Sequence, residues 1–264
     1  MTAGERDGLR VRELVVQYGG LTAVDGVSLH APYGRITALL GPNGAGKTST
    51  FAACSGLLRP AGGAISLDGE DLGGVPPQAR AQRGMGRTFQ RMELFDSLPV
   101  LQNVSLGCEA RAAGSHPLRQ LVQPRGQRRQ TEDATQAAMH LCGITGLAGR
   151  RPADLSTGQR RLVELARVVA GGFGLMLLDE PSSGLDPRET ERFGEVLLTL
   201  VRERGVGILM VEHDMALVMS ICDYGYVLDF GRPIFEGTMP EVAASSEVRA
   251  AYLGDETAST GLAS

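Results

Sequence analysis

Gly41-Pro42-Asn43-Gly44-Ala45-Gly46-Lys47-Thr48 runs as a glycine, four residues and then Gly-Lys-Thr, the spacing of a phosphate-binding loop. Its flanks have the order such a loop needs. Ile36 to Leu40 is an apolar run of strand length, and Thr48 to Leu58 reads as a helix that stops near Arg59-Pro60. Glycine lets the backbone turn so that successive N–H groups point inward around phosphate oxygens, and the following helix adds its positive end. On this reading Gly41, Pro42, Asn43, Gly44, Ala45, Gly46, Lys47, Thr48 and the adjoining Ser49 form a nucleotide-binding segment. Lys47 would reach the β- and γ-phosphates, and the Thr48 hydroxyl would be a ligand for Mg2+. The competing reading is a glycine-rich turn that binds nothing, which leaves the match of motif and flanks to accident.

Upstream, Leu9 to Gln17 mixes charged and apolar residues around Val11, Leu14, Val15 and Val16. With Val27-Ser28-Leu29 it predicts an antiparallel β edge ahead of the nucleotide strand. Downstream, Ala64 to Leu67 predicts a strand meeting the Asp68-Gly69 turn, and Pro76 to Arg83 a short helix. From Arg91 to about Asp154 β-branched runs vanish and helix formers take over, which predicts a helical insertion. Within it, the glycines, prolines and arginines of Ala112 to Arg129 read as a loop between two helices.

Strands and helices then alternate. Gln159 to Ala170 carries Leu162, Leu165, Ala166 and Val169 at helical spacing, and Leu175 to Leu178 is an apolar strand ending in Asp179-Glu180. Pro187 to Arg204 is a helix stopped by Gly205, and Val206 to Val211 is a strand ending at Glu212-His213-Asp214. Such alternation predicts an α/β fold with a largely parallel sheet and ligands at the carboxyl ends of its strands. Tyr226 to Leu228 and Ile234-Phe235 predict a late hairpin, and Thr238, Pro240 and Glu241 a helix start.

Composition narrows the classes. The 264 residues suit one large α/β domain with a subdomain. A net charge of −4 gives no sign of a nucleic-acid partner. Cys54, Cys108, Cys142 and Cys222 lie far apart and form no CxxC pair, so reduced thiols are expected and no zinc site is indicated. Met1 to Arg10 lacks the apolar centre of a signal peptide, and no apolar run approaches the ~18–20 residues that cross a bilayer. The expected location is cytoplasmic, with any membrane association made through a partner.

The discriminating residues lie between these elements. Leu155-Ser156-Thr157-Gly158-Gln159-Arg160-Arg161 stands ahead of the acidic strand end, and it resembles the signature sequence of the ATP-binding cassette (ABC) ATPases. In the same order Gln90 resembles the glutamine loop, Leu175 to Glu180 the Walker B strand with its catalytic glutamate, Ser183-Gly184-Leu185-Asp186 the D-loop and His213 the switch histidine. Tyr18 takes the place of the aromatic that stacks on adenine. The resemblance runs from about Leu9 to Gly254. It departs at Thr157, where the commonest signature has glycine. Finer matches are Arg87-Thr88-Phe89-Gln90, Gly158 to Leu162, Val211 to Met215 and Ala251-Tyr252-Leu253-Gly254. Together they look like the ATPase subunits of branched-chain amino acid importers, with subunits for urea, other amides or aromatic acids closely similar.

The resemblance implies a P-loop ABC ATPase fold: a core over 1–90 and 160–254 and a helical signature subdomain over 91–159; the small, polar residues 255–264 predict a disordered tail. It implies ATP and Mg2+ as cofactors, with Glu180, His213, Gln90 and Lys47 catalytic and Thr48, Gln90 and Asp179 on the metal. Tyr18 and the phosphate loop would bind nucleotide from one subunit; Ser156, Gly158, Gln159 and Asp186 would meet it from a second, identical or paralogous, arranged head to tail. Membrane permease subunits and an extracytoplasmic solute-binding protein complete the implied assembly, at the inner face of the membrane. Each residue also has a plain alternative. Ser156 and Asp186 both suit helix caps, Asp179 a solvated turn, His213 a structural histidine, and Tyr18 an edge-strand core residue. Two rivals differ in class: a soluble ABC protein without transport, and a P-loop kinase for which Ser156 to Arg161 would be coincidental.

Overall fold

The structure, a computed structural model, describes residues 7–88, 94–112 and 125–252. Along the chain come β1 (Leu9–Tyr18), β2 (Leu21–Ala31), β3 (Ile36–Leu40), α1 (Lys47–Ser55), β4 (Gly62–Leu67), β5 (Glu70–Asp71), α2 (Pro77–Gln82) and β6 (Met85–Arg87). Then follow α3 (Val100–Ala112), α4 (Arg125–Leu141), α5 (Thr157–Ala170), β7 (Leu175–Asp179) and α6 (Pro187–Arg204). The last elements are β8 (Gly207–Val211), α7 (Met215–Ile221), β9 (Tyr224–Asp229), β10 (Arg232–Thr238) and α8 (Met239–Ala244), with residues 246–252 again helical. Contacts divide the chain into two compact units, 1–75 with 207–264 and 76–206.

In the first unit β1 pairs antiparallel with β2 and with β4, in the order β2-β1-β4-β5. This is the edge that the alternation of β1 predicts. Its buried residues include Leu9, Leu14 and Val16, which have no exposed surface. In the same unit β3 runs parallel to both β8 and β9, and β9 and β10 form an antiparallel hairpin. Every residue of β3 and of β8 is buried, as continuous apolar runs in covered parallel strands should be. The turn of the hairpin holds Phe230 and Gly231, both at positive φ.

In the second unit β6 lies parallel to β7, and α3, α4 and α5 pack on one another. All five residues of β7 are buried. Strand β6 carries no sequence signal because its centre is Gly86, where a Cβ would come within 2.5 Å of the Phe173 ring; the ring fills the space a side chain would need. Helix α3 crosses α5 at another glycine. A Cβ on Gly107 would lie 1.8 Å from the Arg167 carbonyl oxygen, and the neighbouring Cys108 Sγ donates to the Ala170 carbonyl at 3.2 Å. The loop expected over Ala112 to Arg129 is shorter at its far end: α4 begins at Arg125, because Arg, Gln and Glu are good helix formers and outweigh the single Gly126. The expected tail over 255–264 lies outside the described residues. No helix among those described is long and apolar enough to cross a membrane, and no described group of His, Cys, Asp and Glu clusters as a metal site. None of the four cysteines is in a disulfide.

Candidate nucleotide site and signature helix

The phosphate loop follows β3 in the first unit. Gly41, Gly44 and Gly46 sit at φ of 142°, 80° and 91°, a region closed to most side chains. At two of them the space is closed as well: a Cβ would come within 2.2 Å of the Leu228 carbonyl oxygen at Gly41 and 2.6 Å of that of Ala23 at Gly46. The loop is therefore pressed between β2 and β9, and only glycine satisfies both limits. Gly46 precedes the first helical residue, so α1 starts at Lys47 with no side-chain cap. Its first N–H groups lack an intrahelical partner. Lys47 is buried, and its ammonium donates to the carbonyl oxygens of Gly41 (2.6 Å) and Pro42 (2.8 Å). Thr48 is exposed.

Tyr18, at the end of β1, is half exposed at 51%. That excludes the core alternative for its ring. Its hydroxyl lies 3.4 Å from Ser49 Oγ, which puts an open aromatic face beside the loop helix. His213 follows β8 with an exposed side chain, 3.8 Å from the buried Glu212 carboxylate. Glu212 accepts the backbone N–H of both His213 and Asp214, and Asp214 caps α7 through the Leu217 N–H. The histidine is thus fixed by its backbone while its ring remains accessible.

The other residues belong to the second unit. Asp179 ends β7 with 1% exposure, and its Oδ2 accepts from Arg87 Nη2 at 3.2 Å. Its N–H donates to Thr88 Oγ1 at 3.4 Å. Arg87 is absent from the sequence-predicted set; as the residue before Thr88-Phe89-Gln90 it gives no sign of a charge partner 92 residues away. Glu180, partly buried, sits at φ 46°, a left-handed conformation that a non-glycine residue adopts at a cost of about 1–3 kcal/mol. Strain of this kind concentrates where a side chain must be aimed. Gln90 lies outside the described residues, as does Phe89.

Ser156 caps α5 as the sequence predicts. Its Oγ accepts the Gln159 N–H at 3.2 Å while Gln159 Oε1 accepts the Ser156 N–H at 3.1 Å, a closed capping box. Asp186 caps α6 in the same way, accepting the Glu189 N–H at 2.8 Å. The two caps meet in one carboxylate. Ser156 Oγ donates to Glu189 Oε1 at 3.2 Å, and the Asp186 N–H to Glu189 Oε2 at 3.3 Å. Gly158 is buried against that carboxylate, so closely that a Cβ would lie 2.4 Å from Glu189 Cδ. Arg161 reaches the Ser183 carbonyl (3.5 Å) and pairs with the buried Glu164 (3.2 Å). Thr157 is the exposed first residue of α5, and its methyl would stand 3.3 Å from a Cβ at Gly184. The helix accepts a β-branched residue there without losing its cap.

Similarity to known proteins gives the family. The ABC transporter family profile matches residues 24–183. The high-affinity branched-chain amino acid transport ATP-binding protein BraF of Pseudomonas aeruginosa is 37% identical over 250 residues, 94% of this chain and 98% of that protein. LivG of Escherichia coli, likewise a high-affinity branched-chain amino acid transport ATP-binding protein, is 36% identical over 249 residues with equal coverage. The lipopolysaccharide export system ATP-binding protein LptB of Haemophilus influenzae is 35% identical over 248 residues, again 94% and 98%. Among solved structures, the ADP conformation of MJ1267, an ATP-binding cassette of an ABC transporter, superposes with a TM-score of 0.82 at 27% identity, covering 94% of this chain and 99% of that one. With phosphate loop, signature helix and acidic strand end all formed on that fold, the chain belongs to the ABC transporter family and is an ATP-binding cassette ATPase.

Proposed function

We propose that this chain is the ATP-hydrolysing subunit of an importer for branched-chain amino acids. The observation that carries the reading is its identity with BraF and LivG over nearly their whole lengths. LptB stands only slightly lower and is named for export of a different solute. That similarity supports a second reading, in which the same ATPase serves another cargo such as urea, an amide or an aromatic acid, since the ATPase does not touch the solute.

In the proposed mechanism ATP lies with its phosphates in the loop and its adenine on Tyr18. Lys47 exchanges the carbonyls of Gly41 and Pro42 for the β- and γ-phosphates. Glu180 polarises a water for in-line attack on the γ-phosphorus; the bond to the β–γ bridging oxygen breaks, leaving ADP and phosphate. His213 and Gln90 contact the γ-phosphate side. Ser156 and Gly158, at the start of α5, accept the γ-phosphate of ATP held by a second ATPase subunit, with Gln159 and Asp186 beside them. The hydroxyl of Thr48, the Asp179 carboxylate and Gln90 would supply the oxygen donors that a magnesium ion takes, and such an ion would neutralise charge on the phosphates. The helical insertion near Gln90 to Asn103 docks a cytoplasmic helix of the permease, so that closure of two ATPases switches the permease. The subunit then sits on the inner membrane face, and a solute-binding protein delivers cargo from the other side.

The test is Glu180→Gln in the source cell, with uptake of labelled leucine, urea and an unrelated sugar followed in parallel. Selective loss of leucine uptake is expected. Selective loss of urea uptake would favour the second reading. Unchanged uptake of all three, with no redundant importer, would refute the branched-chain amino acid reading and leave an ABC ATPase of unknown cargo.

A further inference from the structure

Tyr252 belongs to a stretch that the mechanism leaves unused. It lies in the helical residues 246–252, yet its hydroxyl oxygen accepts the Gly41 backbone N–H at 2.9 Å, across 211 positions of sequence. Gly41 is the first residue of the phosphate loop and is held at both ends. Tyr252 takes its N–H, and the Lys47 ammonium takes its carbonyl oxygen at 2.6 Å. The second hold is the one that nucleotide must break, because a lysine that moves onto phosphates leaves the carbonyls of Gly41 and Pro42. Gly41 cannot shift toward β9 in compensation: a Cβ there would already lie 2.2 Å from the Leu228 carbonyl oxygen. The Tyr252 contact is then what continues to fix the loop's first peptide. Burial holds the phenol above the ordinary tyrosine value, more than the Gly41 N–H draws it down, so the hydroxyl is neutral at assay pH.

We propose that Tyr252 is a positioning residue for ATP: its hydroxyl anchors the first N–H of the phosphate loop when Lys47 leaves Gly41 for the phosphates. This rests on the reading that the loop holds ATP. The anchor matters more with nucleotide bound than without, so its loss weakens binding more than it weakens the fold. Linkage makes the effect reciprocal, and ATP must tighten the docking of Tyr252.

The test uses the full chain. Tyr252→Phe keeps the ring and removes the oxygen, leaving a buried N–H unpaired. The expected result is a roughly fivefold rise in both the ATP dissociation constant and KM, the scale of one net hydrogen bond, with kcat near wild type and a fall in Tm of only about 2–4 °C. A variant that binds ATP as wild type does, or one that loses Tm at unchanged affinity, overturns the proposal. Should Tyr252→Phe not fold, hydrogen exchange of the wild-type chain decides. ATP should slow exchange at Gly41 and over 246–252, and no slowing overturns it. If the wild-type chain itself fails to bind ATP, the reading of the loop falls first, an outcome distinct from wild-type binding that Tyr252→Phe leaves intact.

Discussion

Arg87→Ala tests whether the end of β7 is held by charge pairing. Arg87 Nη2 lies 3.2 Å from Asp179 Oδ2, and the two side chains are 15% and 2% exposed. Removing one partner of a buried ion pair leaves the other uncompensated and costs about 3–5 kcal/mol. Because Arg87 is 15% exposed, its truncation lets water reach the carboxylate, so the lower end applies, about 3 kcal/mol. For a chain of this size that is a fall in Tm of roughly 6–12 °C. Asp179→Asn carries no charge to strand, so Arg87→Ala should cost far less on that background. A double-mutant cycle in urea should return a coupling of about 1–3 kcal/mol. Coupling below about 0.5 kcal/mol would refute the pairing as a source of stability. Parallel ATPase assays separate this from catalysis, since Asp179→Asn should lose hydrolysis while remaining folded.

Three further outcomes follow from particular positions. Gly107→Ala sets two effects against each other. Alanine gains about 1 kcal/mol of helix propensity, but its Cβ would meet the Arg167 carbonyl at 1.8 Å, and overpacking of about 1–3 kcal/mol or more should win; a Tm above wild type would contradict the close crossing of α3 and α5. Glu180→Gly relieves the positive φ of 46° and should raise stability by about 0.5–1 kcal/mol while abolishing hydrolysis, whereas Glu180→Gln should change stability little; denaturant midpoints for the pair check this. Burial pushes the Cys142 thiol up from 9.0 to about 12. The folded value lies above the unfolded one, so the stability contribution is fully present below pH 9 and is lost as pH rises toward 12. Urea midpoints from pH 8 to 11 should fall, and Cys142→Ala should flatten that fall.

Whatever the sequence expresses within a short window survives into the structure. The loop Gly41 to Thr48, the caps Ser156 and Asp186, and the strands Ile36 to Leu40 and Leu175 to Asp179 are each set by neighbours within a few residues. Period and capping chemistry therefore reveal them. The pieces that escaped are set by distant neighbours. Gly86 makes β6 a strand by admitting the Phe173 ring, and Gly107 lets α3 approach α5; a glycine read alone says turn, and only the opposing element says contact. Helix α4 begins at Arg125 inside a stretch whose glycines, prolines and arginines read as loop.

The same distinction separates the chemistry of the site from its support. Lys47, Glu180 and His213 stand in motifs that a short window carries, and their proposed partners are the phosphates of ATP and the attacking water. Arg87, Glu189 and Tyr252 act on protein groups 92, 33 and 211 positions away, and no local pattern encodes such a partner. Glu189 makes the point most sharply. Its backbone N–H completes the cap on Asp186, which Asp-Pro-x-Glu announces, yet its carboxylate also accepts from Ser156 at the start of the signature helix. One residue thus ties the two helix starts that are proposed to face the partner's ATP. A change in either cap is felt by the other, so alanine at Ser156 and at Glu189 should combine less than additively in stability. Strict additivity would mean that the shared carboxylate carries no coupling.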